Sequence, residues 1–328
     1  MFPMHITALS GGVGGARFLL GLRAALRPED DLTVIGNTAD DIWLFGLKVC
    51  PDLDSVMYTL GGGIDPDRGW GRASETWNAK EELAAYGAEP AWFGLGDRDL
   101  ATHLVRTQML GAGYPLTAVT AALCERWQPG IRLLPMSDDR VETHIVIDDA
   151  DSPSGQRAVH FQEYWIRLRA EPPVRGVVPV GAENAAPGAE VTSAIAEADV
   201  VVLPPSNPIV SIGTILAVPG IRDAVREASG RVVGVSPIIS GAAVRGMADP
   251  LLRGLDIEVS AAGVARHYGP RGGGGLLDGW LVDDADADAV EQLNAAGIHT
   301  RAVPLLMSDP AATKQMALDA LDLAGAAA

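Results

Sequence analysis

The sequence predicts a doubly wound, mostly parallel α/β sheet with an inserted helical domain, and two observations predict it. Toward both ends of the chain, short apolar runs alternate with stretches of helical spacing, and the runs close on loops of small or polar residues. Across residues 71–128, by contrast, three helical patterns follow one another with no strand-like run between them. The core is therefore expected over 1–70 and 129–328, and the helical insertion over 71–128.

Taken in order, residues 5–9 read as the first strand. Ser10-Gly11-Gly12-Val13-Gly14-Gly15 breaks the apolar pattern, and residues 16–26 then set Phe18, Leu19, Leu22 and Leu26 on one helical face. Residues 32–35 form a second strand ending at Gly36-Asn37-Thr38. A strand, a helix and a strand in so short a span imply parallel pairing through a right-handed crossover. The apolar stretch 55–60 is helix-like, and 74–86, 100–110 and 116–127 are the helices of the insertion. Residues 131–135, 142–147 and 158–167 are strand-like, the last two flanking a turn at Asp151-Ser152-Pro153-Ser154-Gly155 that suggests a hairpin. After a Gly/Pro-containing linker at 185–189 the alternation resumes, with strands at 200–203, 232–236, 279–282 and 300–305. Helices are expected at 221–228, 287–296 and 311–323.

Charge and composition narrow the partners. The 42 acidic residues outnumber 25 basic ones, for a net charge of −17. Such a surface repels phosphate backbones, so a nucleic-acid groove is not expected. A local pocket for a small anion remains compatible, built from backbone amides and a few arginines. The apolar runs fall far short of the ~20 residues of a helical membrane span. Cys50 and Cys124 are too few for a disulfide scaffold and lack metal-type spacing. The first ten residues lack a leader pattern. A reducing cytoplasm is the expected compartment.

The chemistry is expected at the carboxyl ends of the strands. Gly11, Gly12, Gly14 and Gly15 stand where a strand hands over to a helix, where backbone amides and the helix dipole attract phosphate. The run is neither a Walker loop nor G-x-G-x-x-G, since Arg17 holds the third position; a tight packing turn is the alternative. Asn37, Thr38, Asp40 and Asp41 follow the second strand. Two adjacent carboxylates beside an amide suit Mg²⁺, unless one of them caps a helix containing Ile42 and Trp43. Asp40, taken as an exposed loop carboxylate, is expected to be replaceable by Ala with the fold nearly intact. Asp52 and Asp54 lie two apart and would face the same way on an extended segment. Asp97, Arg98, Asp99 and His103 form the densest polar cluster. Arg98 offers a planar fork to an anion, Asp99 can cap the next helix, and His103 reads as structural. Met136 and Ser137 end the 131–135 strand, and Ser206, Asn207 and Ser211 follow the 200–203 strand. If the sheet is parallel, all these loops converge on one edge. No G-x-S-x-G elbow, H-E-x-x-H motif or Cys nucleophile is present. Covalent catalysis is therefore not suggested, and a phosphoryl-type transfer, which needs mainly positioning, a metal and charge neutralisation, is compatible with what these loops offer.

Several long runs carry a resemblance: SGGVGGARFLLGL (10–22), CPDLDSVMYTLGGGIDPDRGWG (50–71), LGDRDLATHLVRTQML (95–110), LLPMSDDRVETH (133–144), HFQEYWIR (160–167), PPSNPIVSIGTILAVPGIR (204–222), SPIISGAAVRGMAD (236–249) and VPLLMSDPAAT (303–313). Through them the chain resembles, almost end to end, the CofD/FbiA family of coenzyme F420 biosynthesis. The resemblance implies a Rossmann-like core, a helical second domain, Mg²⁺ dependence and a homodimer. It also implies a reaction. A hydroxyl of the deazaflavin Fo attacks the phosphorus bearing a three-carbon acid in a guanosine diphospho-conjugate, and GMP leaves. On this resemblance Asp54 is the deazaflavin-side aspartate and Asp40 the leading metal ligand, with Asp41 beside it; Arg98, by the chemistry of its fork, is counted with Asp40 and Asp54 among the candidate catalytic residues. Gly11–Gly15 and Ser206-Asn207 would hold the guanosine diphosphate end. The 50–71 run is closest to the bacterial branch, which implies enolpyruvyl rather than 2-phospho-L-lactyl transfer. Archaeal-type members carry a Lys before LGDRD where this chain has Gly94. A related non-catalytic nucleotide-sugar-binding regulator is the competing reading; the PDLD and GDRD set favours catalysis.

Overall fold

The computed structural model describes residues 3–326. Seven strands form the central sheet: β1 (His5–Ser10), β2 (Asp31–Gly36), β3 (Arg132–Pro135), β4 (Val200–Leu203), β5 (Arg231–Val235), β6 (Gly279–Val282) and β7 (His299–Ala302). Their order is β7-β6-β5-β4-β1-β2-β3, and every pairing is parallel. The chain therefore starts mid-sheet, winds outward through β2 and β3, then returns to the other side of β1. The reversal falls between β1 and β4, the crevice where such sheets bind ligands.

Both faces of the sheet are buried, which is why its strands read as continuous apolar runs. Val200 and Val202 enter one core with Ile6, Ala8 and Val34; Val201 and Leu203 enter the other with Leu9 and Ile35. The first core is closed by α1 (Gly12–Ala25), α2 (Pro51–Leu60) and the C-terminal helix Pro310–Leu323. α3 (Asn78–Ala85), α4 (Asp97–Gly111) and α5 (Leu116–Trp127) follow α2, with no strand between them among the described residues. α5 sends Leu116, Val119 and Leu123 into the core it shares with α2. No helix among the described residues is long and apolar enough to cross a membrane.

Three local expectations are corrected. Gly12, Gly14 and Gly15 lie in the first turn of α1, not in a loop ahead of it. Tertiary contact outweighs their poor helix propensity, because a Cβ on Gly14 would sit 2.8 Å from the Pro205 carbonyl oxygen and one on Gly15 would strike Ser206 and Ser10. Ile42 and Trp43 belong not to a helix but to a hairpin, Ile42–Leu44 against Leu47–Val49. Its two-residue turn, Phe45-Gly46, has φ of +51° and +77°. The strand expected at 158–167 ends at His160, and Glu163–Arg167 is π-helical. The turn comes where the Gln162 amide donates to His160 Nδ1 (3.1 Å) and Phe161 sinks into the core. Gln156–His160 does pair antiparallel with Glu142–Asp148, and Val174–Val180 adds a third strand. That third strand is half-exposed and interrupted by Gly176 and Pro179, so it carries no clear apolar signal.

α1 crosses the C-terminal helix at Gly21, where a Cβ would collide with the Thr313 carbonyl. Gly21→Val should therefore destabilise the protein by about 1–3 kcal/mol through overpacking, measured by denaturant unfolding; an unchanged midpoint would contradict this crossing.

Candidate active site

The loops after β1, β2, β3 and β4 are joined directly at one edge of the sheet. The Asn37 amide donates to Ser10 O (3.0 Å) and the Met136 amide to Gly36 O (2.9 Å). Ser206 Oγ donates to Gly11 O (2.8 Å) and accepts from the Gly11 amide (3.3 Å). Asn37 is the hub. Its Nδ2 donates to Asp52 Oδ2 (2.9 Å) and Val210 O (3.1 Å), and its Oδ1 accepts from the Ala39 amide and Thr214 Oγ1. A Cβ on Gly11 would lie 2.6 Å from Asp52 Oδ2 and 2.8 Å from Ser211 Cβ. The small residues thus let three loops close on one another. Gly12 alone has open space beside it and a φ of +68°, a backbone state suited to glycine.

Four carboxylates are buried here: Asp40, Asp41, Asp52 and Asp54, each at most 6% exposed. Asp40 is not an exposed loop residue, because Thr143 bonds its neighbour Ala39 and Gln162 reaches its carbonyl, holding the turn under the 142–160 strands. Burial raises the Asp40 pKa well above its ordinary value, and repulsion from Asp52 and then Asp41 adds to it. Burial likewise raises Asp52 to about 6, although Asn37 and the Gly12 N–H favour its charged form. Asp41 Oδ2 is engaged by Lys48 Nζ (3.1 Å) and Cys50 Sγ (3.1 Å). Burial would lower the Lys48 pKa, but Asp41 outweighs it. Among the described residues, Ser10 Oγ, Thr38 Oγ1, Asp40 Oδ1, Asp41 Oδ1 and Thr143 Oγ1 are buried with no hydrogen-bond partner. Buried oxygens left unpaired beside mutually repelling carboxylates suit a hard cation and an anion carried with it.

Asp52 and Asp54 do not share a face, since both lie in the first turn of α2 rather than on an extended segment. Asp52 meets the glycine start of α1. Asp54 instead forms a two-pronged ion pair with Arg106 of α4, NH1 to Oδ2 at 3.0 Å and NH2 to Oδ1. Arg106 NH1 also lies 3.1 Å from His103 Nδ1; His103 Nε2 lies 3.5 Å from Asp99 Oδ2, and Tyr58 OH donates to Asp99 Oδ1 (2.6 Å). Burial raises the Asp54 pKa and Arg106 and His103 pull it back. Despite its own burial, Asp99 is held below the ordinary range by His103 and Tyr58. Ligand atoms of Asp54, Asp99 and His103 come within 4.8 Å of one another, a spacing that fits a metal. The Arg106 charge already on Asp54 opposes a cation there.

The other expected residues are placed as follows. Asp97 caps the start of α3, accepting from Thr76 Oγ1 (2.6 Å), from Asn78 and from the Ala79 amide, and the Thr76 bond first among these lowers its pKa to about 2. Arg98 is exposed and has no side-chain ion pair among the described residues. Met136 is a core side chain. Ser137 Oγ donates to Ala186 O (2.6 Å), and Asn207 Oδ1 accepts from the Ile209 and Val210 amides. Sequence reasoning missed Arg106 and Lys48. The signal for Arg106 was available: residues 99, 103 and 106 put an acid, a histidine and an arginine on one helical face. Beside α3, a cavity of about 580 Å³ is lined by Phe45, Trp70, Trp77, Phe93, Lys80 and Leu100. The space next to Gly94 is taken by Lys80, whose Nζ lies 3.4 Å from where a Cβ would stand.

Residues 6–320 match the family described as 2-phospho-L-lactate transferase CofD. The chain belongs to the CofD family. It is 66% identical over 322 residues to a phosphoenolpyruvate transferase of Streptomyces griseus, the match covering 98% of each chain. It is 61% identical over 328 residues to that of Thermobifida fusca, again covering 98% of each. A solved structure of a member of the UPF0052 family from Bacillus halodurans shares the fold, with a TM-score of 0.61 at 18% identity over 97% of this chain and 99% of that one.

Asp52 supplies a pH test. Its folded pKa of about 6 exceeds the ordinary 3.8, so ionising it opposes folding above pH 6 and has no such effect below pH 4. Without divalent cation, Asp52→Asn should gain stability over the parent at pH 7.5, on the order of 2 kcal/mol, with the gain fading as pH falls toward ~4. Thermal melts against pH in chelator check this; a pH-independent difference counts against the assignment.

Proposed function

We propose that the chain moves a phosphoenolpyruvyl group from a guanosine diphospho-conjugate to the ribityl hydroxyl of the deazaflavin Fo, with release of GMP. The acceptor oxygen forms a bond to the phosphorus bearing the enolpyruvate. The bond from that phosphorus to the bridging oxygen breaks, the bridging oxygen leaves with GMP, and the hydroxyl proton passes to solvent. The observation that carries this reading is the buried, under-compensated carboxylate pocket beside the glycine start of α1, in a chain 57–66% identical to proteins named phosphoenolpyruvate transferase.

The start of α1, with Gly11, Gly12, Gly14 and Gly15, would take the diphosphate, with Ser206 bracing that turn and Asn207 and Ser211 shaping the adjoining wall. Asp40 and Asp52 would hold the cation, with Asp41, already neutralised by Lys48, in support. Mg²⁺, when bound, would supply charge neutralisation for the diphosphate and the departing phosphate. Thr38 and Ser10 offer free hydroxyls at the same edge. Asp54 would serve the acceptor side. The aromatic cavity with Trp70, Trp77 and Phe93 would accommodate a planar ring, with Lys80 in the place that Gly94 leaves open. Asp97 and Ser137 would act by fixing their loops, and Arg98 is free to meet an incoming anion. The reading carries with it a cytoplasmic homodimer.

With authentic substrates, GMP release should require both Fo and Mg²⁺. Asp40→Asn, which keeps the shape of the buried side chain, should lower turnover ~10²-fold or more by removing charge that the transition state needs. Chromatographic assay of GMP checks both. Turnover by Asp40→Asn with unchanged Mg²⁺ dependence would refute the cation assignment, and absence of product from folded wild type would refute the transferase reading.

A further inference from the structure

We propose that Arg106 is a positioning residue for Asp54: its planar fork, backed by His103, fixes the orientation of that carboxylate on the acceptor side. The inference rests on the transferase reading and assigns a role to a residue that no motif reading had marked.

Arg106 is 1% exposed and lies on α4, while Asp54 lies on α2, so two residues 52 positions apart in sequence tie these helices together. Both terminal nitrogens engage both carboxylate oxygens, which removes the rotational freedom that a single bond to Lys would leave. Arg106 is itself held. NH1 meets His103 Nδ1, and His103 Nε2 faces Asp99, whose other oxygen accepts from Tyr58. Lys48 O receives a further, longer contact at 3.4 Å. Stability alone does not call for such a pair, because desolvating two charges offsets their attraction and apolar residues of similar volume hold helices together as well. Leu53, Val56 and Met57 of the same helix are core residues, so α2 is already held by apolar packing. A two-pronged fork does fix the direction of the carboxylate it holds. Asp54 is that carboxylate, two residues from Asp52 and on a different face of α2.

The test uses the full chain and the variants Arg106→Met, Arg106→Lys, Asp54→Asn and the double variant Asp54→Asn/Arg106→Met. Turnover, KM for each substrate, guanine-nucleotide affinity and melting temperature are measured for each. Arg106→Met should lower kcat ~10²-fold, the scale of a small misplacement at a reacting centre, with donor KM and nucleotide affinity within ~3-fold. Arg106→Lys should recover part of that loss. On the Asp54→Asn background, Arg106→Met should change kcat by less than ~2-fold, since a residue acting through Asp54 has nothing left to position. Losses that multiply in the double variant, nucleotide affinity that falls in step with kcat, or Arg106→Met turnover within ~3-fold of wild type would each overturn the inference. If Arg106→Met alone fails to fold, Arg106→Lys and the double variant, which leaves no lone buried charge, decide the question. Inactive wild type would remove the transferase reading and this inference with it, whereas active wild type with unaffected variants removes this inference alone.

Discussion

Four aspartates packed out of water at one edge of a parallel sheet set the terms for everything around them. A buried carboxylate without compensation shifts toward its neutral form or destabilises the fold, and each of the four meets this differently. Asp41 has Lys48 and the Cys50 thiol, Asp54 has the Arg106 fork, and Asp52 has the amide of Asn37 and the Gly12 N–H. Asp40 keeps an oxygen with no partner and feels the repulsion of two neighbours. The fold thus leaves uncompensated negative charge beside the glycine start of α1, where the helix dipole is positive.

That arrangement depends on close approach of backbone, and glycine makes it feasible. Side chains at Gly11, Gly14 or Gly15 would meet Asp52, Ser211, Pro205 or Ser206. The 204–211 segment then closes against α1, and Asn37 threads between them with all of its hydrogen-bonding capacity used. Such saturation makes the Asn37 side chain a brace between the loops. The same distinction separates Asp97 and Ser137, spent on the α3 cap and the 185–188 loop, from Thr38 and Ser10, whose hydroxyls remain free.

The charge network does not stop at the sheet edge. From Asp54 it passes through Arg106 and His103 to Asp99 and Tyr58, joining α2 to α4 through polar contacts in an otherwise apolar setting. Removing one partner of such a pair costs about 3–5 kcal/mol, far more than an exposed ion pair is worth. α4 also borders the aromatic cavity through Leu100, so a helix that neighbours one pocket fixes a carboxylate near the other.

Hydrophobic period and chain order were enough to determine the doubly wound sheet and the meeting of the glycine, Asn37-to-Asp41 and Ser206 segments at one edge of it, because the order of strands and helices and the handedness of their crossovers follow from chain order. Family membership was equally legible in the long runs at 10–22, 50–71 and 95–110. Tertiary structure decided which polar groups remain free. Asp52 and Asp54 part company because α2 begins at Pro51, four residues earlier than the expected 55–60 helix, so the segment that carries them is helical rather than extended. Asp41 is drawn off by Lys48 across a hairpin whose Phe45-Gly46 turn has no strong sequence signature, and Arg106 finds Asp54 only once α4 lies against α2. Spacing along a chain specifies which groups can share a face; the pairing of charges is settled by burial and by contacts between segments far apart in sequence.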